Sequence, residues 1–267
     1  MTQPPVLFET DEAVATIRLN DGLRMNPLCD GMVQGLRDAV ERVRDDRSLR
    51  ALVITGQGRG FCVGADLASY REMLEQPAAG PRLAEHIGDL MARMNPVLLS
   101  LKELPVPVVC AVNGAAAGGG AGLALAGDVV IAAKSAFFYL PFVPALGIVP
   151  DMGSSWVLPR AIGRSRAIGL SLLAPRLTAQ QALEWGLIWG CVDDDALQAE
   201  AQRLARQLAG LPPGAVLEAR AIFAAAERNT LAQQLDLERT RQMALVGGPS
   251  FAEGVRAFAE RRKPDFR

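Results

Sequence analysis

Residues 106–133 carry a single charge, Asp128, and this stretch constrains the fold more than any other. It is about as long as a membrane span. Asn113, the six small residues 115–120 and Asp128 would, however, put polar groups and helix-weakening glycines at bilayer depth. The stretch therefore reads as a buried strand over residues 108–112, a turn at Asn113-Gly114, and a buried helix after Gly120 that stops at Gly127-Asp128.

A second segment has the same design. A short buried strand over residues 51–55 ends in Gly56-Gln57-Gly58-Arg59-Gly60 and leads to Phe61-Cys62-Val63-Gly64-Ala65-Asp66-Leu67. The glycine spacing is GxGxG rather than the dinucleotide GxGxxG, and no GxxxxGK[ST] loop occurs. Gly64-Ala65-Asp66-Leu67 and Ala117-Gly118-Gly119-Gly120-Ala121-Gly122 each lie where a strand ends and a helix begins. Backbone N–H groups are left unpaired there, in a positive local potential that suits an oxygen gaining negative charge. Close helix–sheet packing is the other reading of the triple glycine.

The remaining pattern is α/β. Strands are expected at residues 6–9, 13–19, 129–133 and 137–140, and helices at 30–44, 67–75 and 83–103, the last two separated by Pro77-Ala78-Ala79-Gly80-Pro81. Strand-strand-helix units suggest stacked turns of a layered core over residues 1–195. From residue 196 the strands stop, and helices over 198–211, 214–229 and 230–245 form a C-terminal appendage, followed by a locally basic tail.

Composition removes several functions. Lys and Arg number 28 against 29 Asp and Glu, so the net charge of -1 offers nucleic acid no basic surface. The four cysteines, at 29, 62, 110 and 191, have no CxxC spacing, which fits a reduced, cytoplasmic setting. Met1-Thr2-Gln3-Pro4-Pro5 lacks a positive, apolar leader. His86 is the single histidine and is expected to pack on a helix, so no histidine zinc site is expected; no Gly-x-Ser-x-Gly elbow appears.

The two glycine segments, read with Asn20-Asp21-Gly22-Leu23-Arg24-Met25-Asn26-Pro27-Leu28, the stretch from Leu177 to Ile188 and Phe258-Ala259-Glu260-Arg261-Arg262-Lys263-Pro264-Asp265-Phe266, resemble the enoyl-CoA hydratase/isomerase (crotonase) family along nearly the whole chain. The resemblance implies a crotonase-like spiral of ββα turns, with residues 196–267 as a helical oligomerisation region building a homotrimer or a dimer of trimers. It implies an acyl-CoA substrate in fatty-acid-type metabolism, with coenzyme A entering only as part of the thioester, no tightly bound cofactor and no metal. The amides of Ala65 and Gly119 would hold the thioester oxygen as it becomes an enolate. Backbone at Arg24, Met25, Ala65, Asp66 and Leu67 would line the coenzyme A path, and Phe258 and Lys263 would lie near its adenine or phosphates, across a subunit boundary. A solvated basic tail is the alternative for Arg261, Arg262 and Lys263.

Family hydratases activate water with two glutamates. Here Gly122 stands at the first position and the second falls at or next to Val143, and an apolar wall of Phe142, Val143, Leu146 and Trp156 is expected instead. Asp151 is similar in position to the aspartate with which certain family isomerases move a proton, and burial would raise its pKa toward the operating range. A helix N-cap is its other reading. The sequence thus favours enoyl-CoA double-bond isomerisation by a single carboxylate. Hydratase-like or thioester-hydrolysing chemistry, a non-catalytic acyl-CoA-binding subunit, and a nucleotide-binding regulator built on residues 56–60 are the alternatives.

Overall fold

The computed structural model describes residues 3–76 and 79–266. Strands β1 (Val6–Asp11) and β2 (Val14–Leu19) form an antiparallel hairpin, after which α1 (Asp30–Asp45) lays its apolar face, from Met32 to Val43, into the core. Three turns follow, each with two strands and then helix. The first contains β3 (Ala51–Gly56), β4 (Gly60–Cys62), α2 (Leu67–Leu74) and α3 (Ala79–Glu103). The second contains β5 (Val108–Val112), β6 (Ala115–Ala117) and α4 (Gly119–Ala124), and the third β7 (Val129–Ala133), β8 (Phe137–Tyr139) and α5 (Phe142–Leu146). The chain continues through α6 (Ser154–Leu173), β9 (Leu177–Thr178), α7 (Ala179–Glu184) and β10 (Gly190–Val192).

Each turn gives its first strand to one sheet and its second to another. The six-stranded sheet runs β1-β2-β3-β5-β7-β10 and the four-stranded one β4-β6-β8-β9, with β3, β5 and β7 parallel in the first and β4, β6 and β8 parallel in the second. Stacking the turns pairs like strands, which is why β3 and β5 are buried along their whole length. The charge-poor stretch is the middle turn of this spiral. Among the described residues no helix is long and apolar enough to cross a membrane.

Four helices close the chain: α8 (Leu197–Ala209), α9 (Ala215–Ala226), α10 (Leu231–Val246) and α11 (Pro249–Ala259). The first lies on the sheet. Leu197, Ala201, Leu204 and Ala205 are buried, while Gln198 and Gln202 donate to the hydroxyls of Thr55 and Thr16 at 3.1 and 2.9 Å, so buried strand polar groups stay paired. Helices α9 and α10 bury none of their residues in the single chain and leave Phe223, Leu235, Met243 and Leu245 exposed. Arg220 anchors α9 to the core: its guanidinium grips both Asp128 carboxylate oxygens and donates to the carbonyls of Lys102, Leu104 and Val106.

Several expected boundaries move. Helix α3 begins at Ala79 with Pro81 in its first turn, where proline's missing N–H costs nothing; residues 77 and 78 of the expected break lie outside the described residues. Helix α4 starts at Gly119 rather than after Gly120. Strand β6 and helices α5 and α11 were not expected. Three alanines carry no strand propensity of their own, and β6 exists because Ala115 pairs with both Gly60 and Phe137.

Candidate active site

The two amides expected to hold an oxyanion are brought side by side. A Cβ on Gly64 would stand 2.8 Å from the Gly119 backbone nitrogen, so the turn before α2 touches the start of α4. Each donor amide follows a glycine with positive φ, +76° at Gly64 and +52° at Gly118, and that backbone conformation turns the next N–H out of the local ladder. Among the described residues, neither the Ala65 nor the Gly119 N–H donates to a protein carbonyl in any turn or loop. The packing reading of the glycine run holds at Gly120, which lets α4 lie against the Cys62 carbonyl, where a Cβ would strike.

Asp151 lies beside this pair. Its Oδ1 comes within 3.5 Å of where a Cβ on Gly119 would be, and that oxygen is buried with no hydrogen-bond partner. Burial pushes the carboxyl up to about 6, with its own backbone N–H pulling the other way. The N-cap reading is corrected: Gly153 caps α6, no side chain caps it, and the buried Ser154 donates from both N–H and Oγ–H to the Asp151 carbonyl, at 2.9 and 2.6 Å.

The loop expected along the coenzyme A path is also assembled here. The Arg24 guanidinium bridges Asp21 and Asp66 at 2.6 and 2.7 Å, Met25 sits on Gly60 and accepts from the Val63 N–H, and Asp66 caps α2 through the Ser69 N–H. Leu67 is exposed as the first residue of α2. Under this loop is a residue that sequence reasoning missed. Asn26, fully buried, donates to the carbonyls of Gln57, Gly60 and Phe61 and accepts from the Asp21 N–H. An asparagine before proline amid apolar residues was the available signal. The same contacts fill the Gly56–Gly60 turn with protein, and β4 rather than a helix begins at Gly60, which removes the nucleotide-loop reading.

The expected apolar wall is only partly present. Phe142 is buried and its Cζ lies 4.0 Å from where a Gly118 Cβ would be, and Val143 is half-buried beside it on α5. Leu146, at the end of that short helix, is 43% exposed. Trp156 is corrected outright: 52% exposed, it stacks under Arg160 at 4.1 Å and lines a separate cleft with Lys102, Asp128 and Trp189. Ser154 and Leu158 share the buried face of α6, and a residue two positions from either points about 200° away. At Gly122 a Cβ would run into the Met152 carbonyl.

Phe258, 87% exposed, lines an apolar cleft of about 660 Å³ between the loop before α9 and helix α11, together with Phe251 and Val255, and no residue of that lining belongs to the Asp151 surroundings. In the tail, Arg262 is held by Glu253 and Glu260, which takes it out of the expected basic cluster and leaves Lys263 nearby.

A stack of ββα turns that sets two glycine-preceded amides side by side at two helix starts suits an oxygen that gains negative charge. The chain belongs to the enoyl-CoA hydratase/isomerase family, whose model matches residues 9–267. It is 45% identical over 262 residues to 1,2-epoxyphenylacetyl-CoA isomerase of Escherichia coli (strain K12), covering 98% of this chain and 97% of that one. Identity to the probable enoyl-CoA hydratase of Rhodobacter capsulatus is 40% over 266 residues, 100% and 99% of the two chains. Among solved structures, an enoyl-CoA hydratase from Polaromonas sp. JS666 superposes with a TM-score of 0.89 at 29% identity, over 98% of this chain and 99% of that one. The crotonase fold expected from the motifs is thus the fold observed.

Proposed function

We propose that this chain isomerises an acyl-CoA through an enolate, with Asp151 as the single acid/base and the Ala65 and Gly119 N–H groups as the oxyanion donors. The carboxylate takes a proton from the α-carbon, the C–H electron pair moves into the thioester, and the oxygen that gains charge is held by the two amides. With a 3-enoyl chain Asp151 then returns its proton to the γ-carbon, so the β,γ double bond moves to α,β and nothing is added or lost. The observation that carries this reading is the buried, unpartnered Asp151 Oδ1 next to Gly119. A group that both takes and gives a proton works best with a pKa near the operating pH, and burial brings Asp151 close to it.

Hydration is the weaker reading, because Gly122 and Val143 offer no carboxylate to hold attacking water. Identity to the epoxyphenylacetyl-CoA isomerase supports a ring-bearing acyl group with an activated oxygen as the substrate class. Incubating the protein with a 3-enoyl-CoA, crotonyl-CoA and 1,2-epoxyphenylacetyl-CoA tests this: rearrangement of the first or third is expected, and hydration of crotonyl-CoA alone would overturn it. The exposed apolar faces of α9, α10 and α11 support assembly through the C-terminal helices, with Phe258 and Lys263 completing the coenzyme A site of a neighbouring subunit; light scattering showing a trimer or hexamer checks this.

A further inference from the structure

The turn Asp151-Met152-Gly153 is constrained backbone beside the site, as Met25 and Asn26, both left-handed, are in the loop expected along the coenzyme A path. Met152 has φ +51° and Gly153 φ +76°, so two successive residues are left-handed, and the first is not a glycine. Such a conformation persists only where the surroundings over-determine it. They do so here from both sides. Ser154 fixes the Asp151 carbonyl with two hydrogen bonds, and the Met152 side chain, 6% exposed, is seated on α4.

Its seat is made by Gly119 and Gly122, three residues apart and therefore on one face of α4. A Cβ on Gly119 would stand 2.9 Å from Met152 Cγ. At Gly122 a Cβ would meet Met152 Cβ at 2.5 Å and overlap the Met152 carbonyl. The groove left by two missing side chains is thus filled by one methionine. Asp151 precedes it in the same turn, so the depth to which Met152 seats sets where the carboxylate points.

We propose that Met152 is the positioning residue of the reaction: seated in the Gly119–Gly122 groove, it aims the Asp151 carboxylate at the oxyanion pair and keeps water out of the place a carboxylate at residue 122 would need. Exclusion of hydration is then built into the backbone, since any side chain at 122 displaces the Asp151 turn. The inference rests on Asp151 acting as the acid/base.

The test compares Met152→Asn, Met152→Leu and Gly122→Ala with the unaltered protein. Asparagine accepts a left-handed backbone but is too short to fill the groove; leucine fills it. Solvent-deuterium entry into the α-carbon of an acyl-CoA, kcat, KM, the acid limb of the pH profile and Tm are read for each. Met152→Asn and Gly122→Ala are expected to lower exchange and kcat about 10²-fold at unchanged KM, as displacement of a reacting group by an ångström does. Met152→Leu should restore most of the rate. Opening the groove also hydrates Asp151, so the acid limb should move to lower pH in Met152→Asn. Tyr70 of α2 is an ionisable neighbour whose hydroxyl is held up by burial first and by Asp151, Asp66 and Asp30 after it; it stays neutral over this range. Wild-type kcat in both Met152→Asn and Gly122→Ala, an unmoved acid limb in Met152→Asn, or a loss that only follows Tm, would overturn the proposal. Absence of exchange in the unaltered protein would overturn the Asp151 reading along with it, which separates the two failures.

Discussion

Oδ1 of Asp151 lies 3.5 Å from the position a Cβ on Gly119 would take, at the start of α4. A glycine there leaves room for the carboxylate beside the Gly119 amide, the proposed oxyanion donor. Under the proposed roles, base and oxyanion donor lie at one place, and a thioester whose oxygen is held at the amides would present its α-carbon to Asp151.

The pH dependence follows from the burial of that carboxyl. With its pKa raised to about 6, only the ionised form can take the α-proton. The rate kcat/KM for isomerisation should be flat above neutrality and fall about tenfold per pH unit below about 6. Initial rates from pH 4.5 to 9 check this; an acid limb near 4 would mean that Asp151 is solvated in the working enzyme.

Gly118 isolates the oxyanion hole from packing. A Cβ at that position would meet nothing closer than 3.8 Å, yet φ of +52° strains any residue other than glycine. Gly118→Ala should therefore turn the Gly119 amide without disturbing the core. A drop in kcat of about 10²–10³-fold is expected, with circular dichroism unchanged.

Stability and function should oppose each other at Asp151. A carboxyl with a raised folded-state pKa binds its proton more tightly folded than unfolded, so its contribution to stability falls as pH rises from about 4 through about 6 and stays unfavourable above. Asp151→Asn removes that cost. Its Tm should exceed the parent's by about 2–4 °C at pH 8, and the gap should close toward pH 4, as differential scanning calorimetry would record.

Asn26 is expected to support the site from below. Asn26→Ala leaves the carbonyls of Gln57, Gly60 and Phe61 without their shared donor in a buried place. Urea unfolding should show a loss of about 2–4 kcal/mol, and KM for acyl-CoA should rise because the Arg24–Met25 loop is no longer tied to β4.

Much of this was legible in the residues. The charge-poor stretch and the strand-glycine-helix segments point to the spiral, and the two glycine-preceded amides lie side by side as expected, because both depend on local conformation. What was hidden depends on contacts between distant segments. Strand β6 is three alanines made into a strand by their neighbours, and Met152 reads as an ordinary apolar residue until Gly119 and Gly122 are seen beneath it. Trp156 was assigned to the pocket by its nearness in sequence to Asp151, and helix rotation takes it elsewhere.

The central claim is that Asp151 moves the proton while the paired amides hold the enolate. The most direct test is solvent-deuterium exchange at the α-carbon of a bound acyl-CoA, compared between the unaltered protein and Asp151→Asn. The account predicts exchange in the former, its loss by about 10³-fold or more in the latter, and nearly equal acyl-CoA affinity in both. Exchange retained by Asp151→Asn would remove Asp151 from the chemistry and contradict the account.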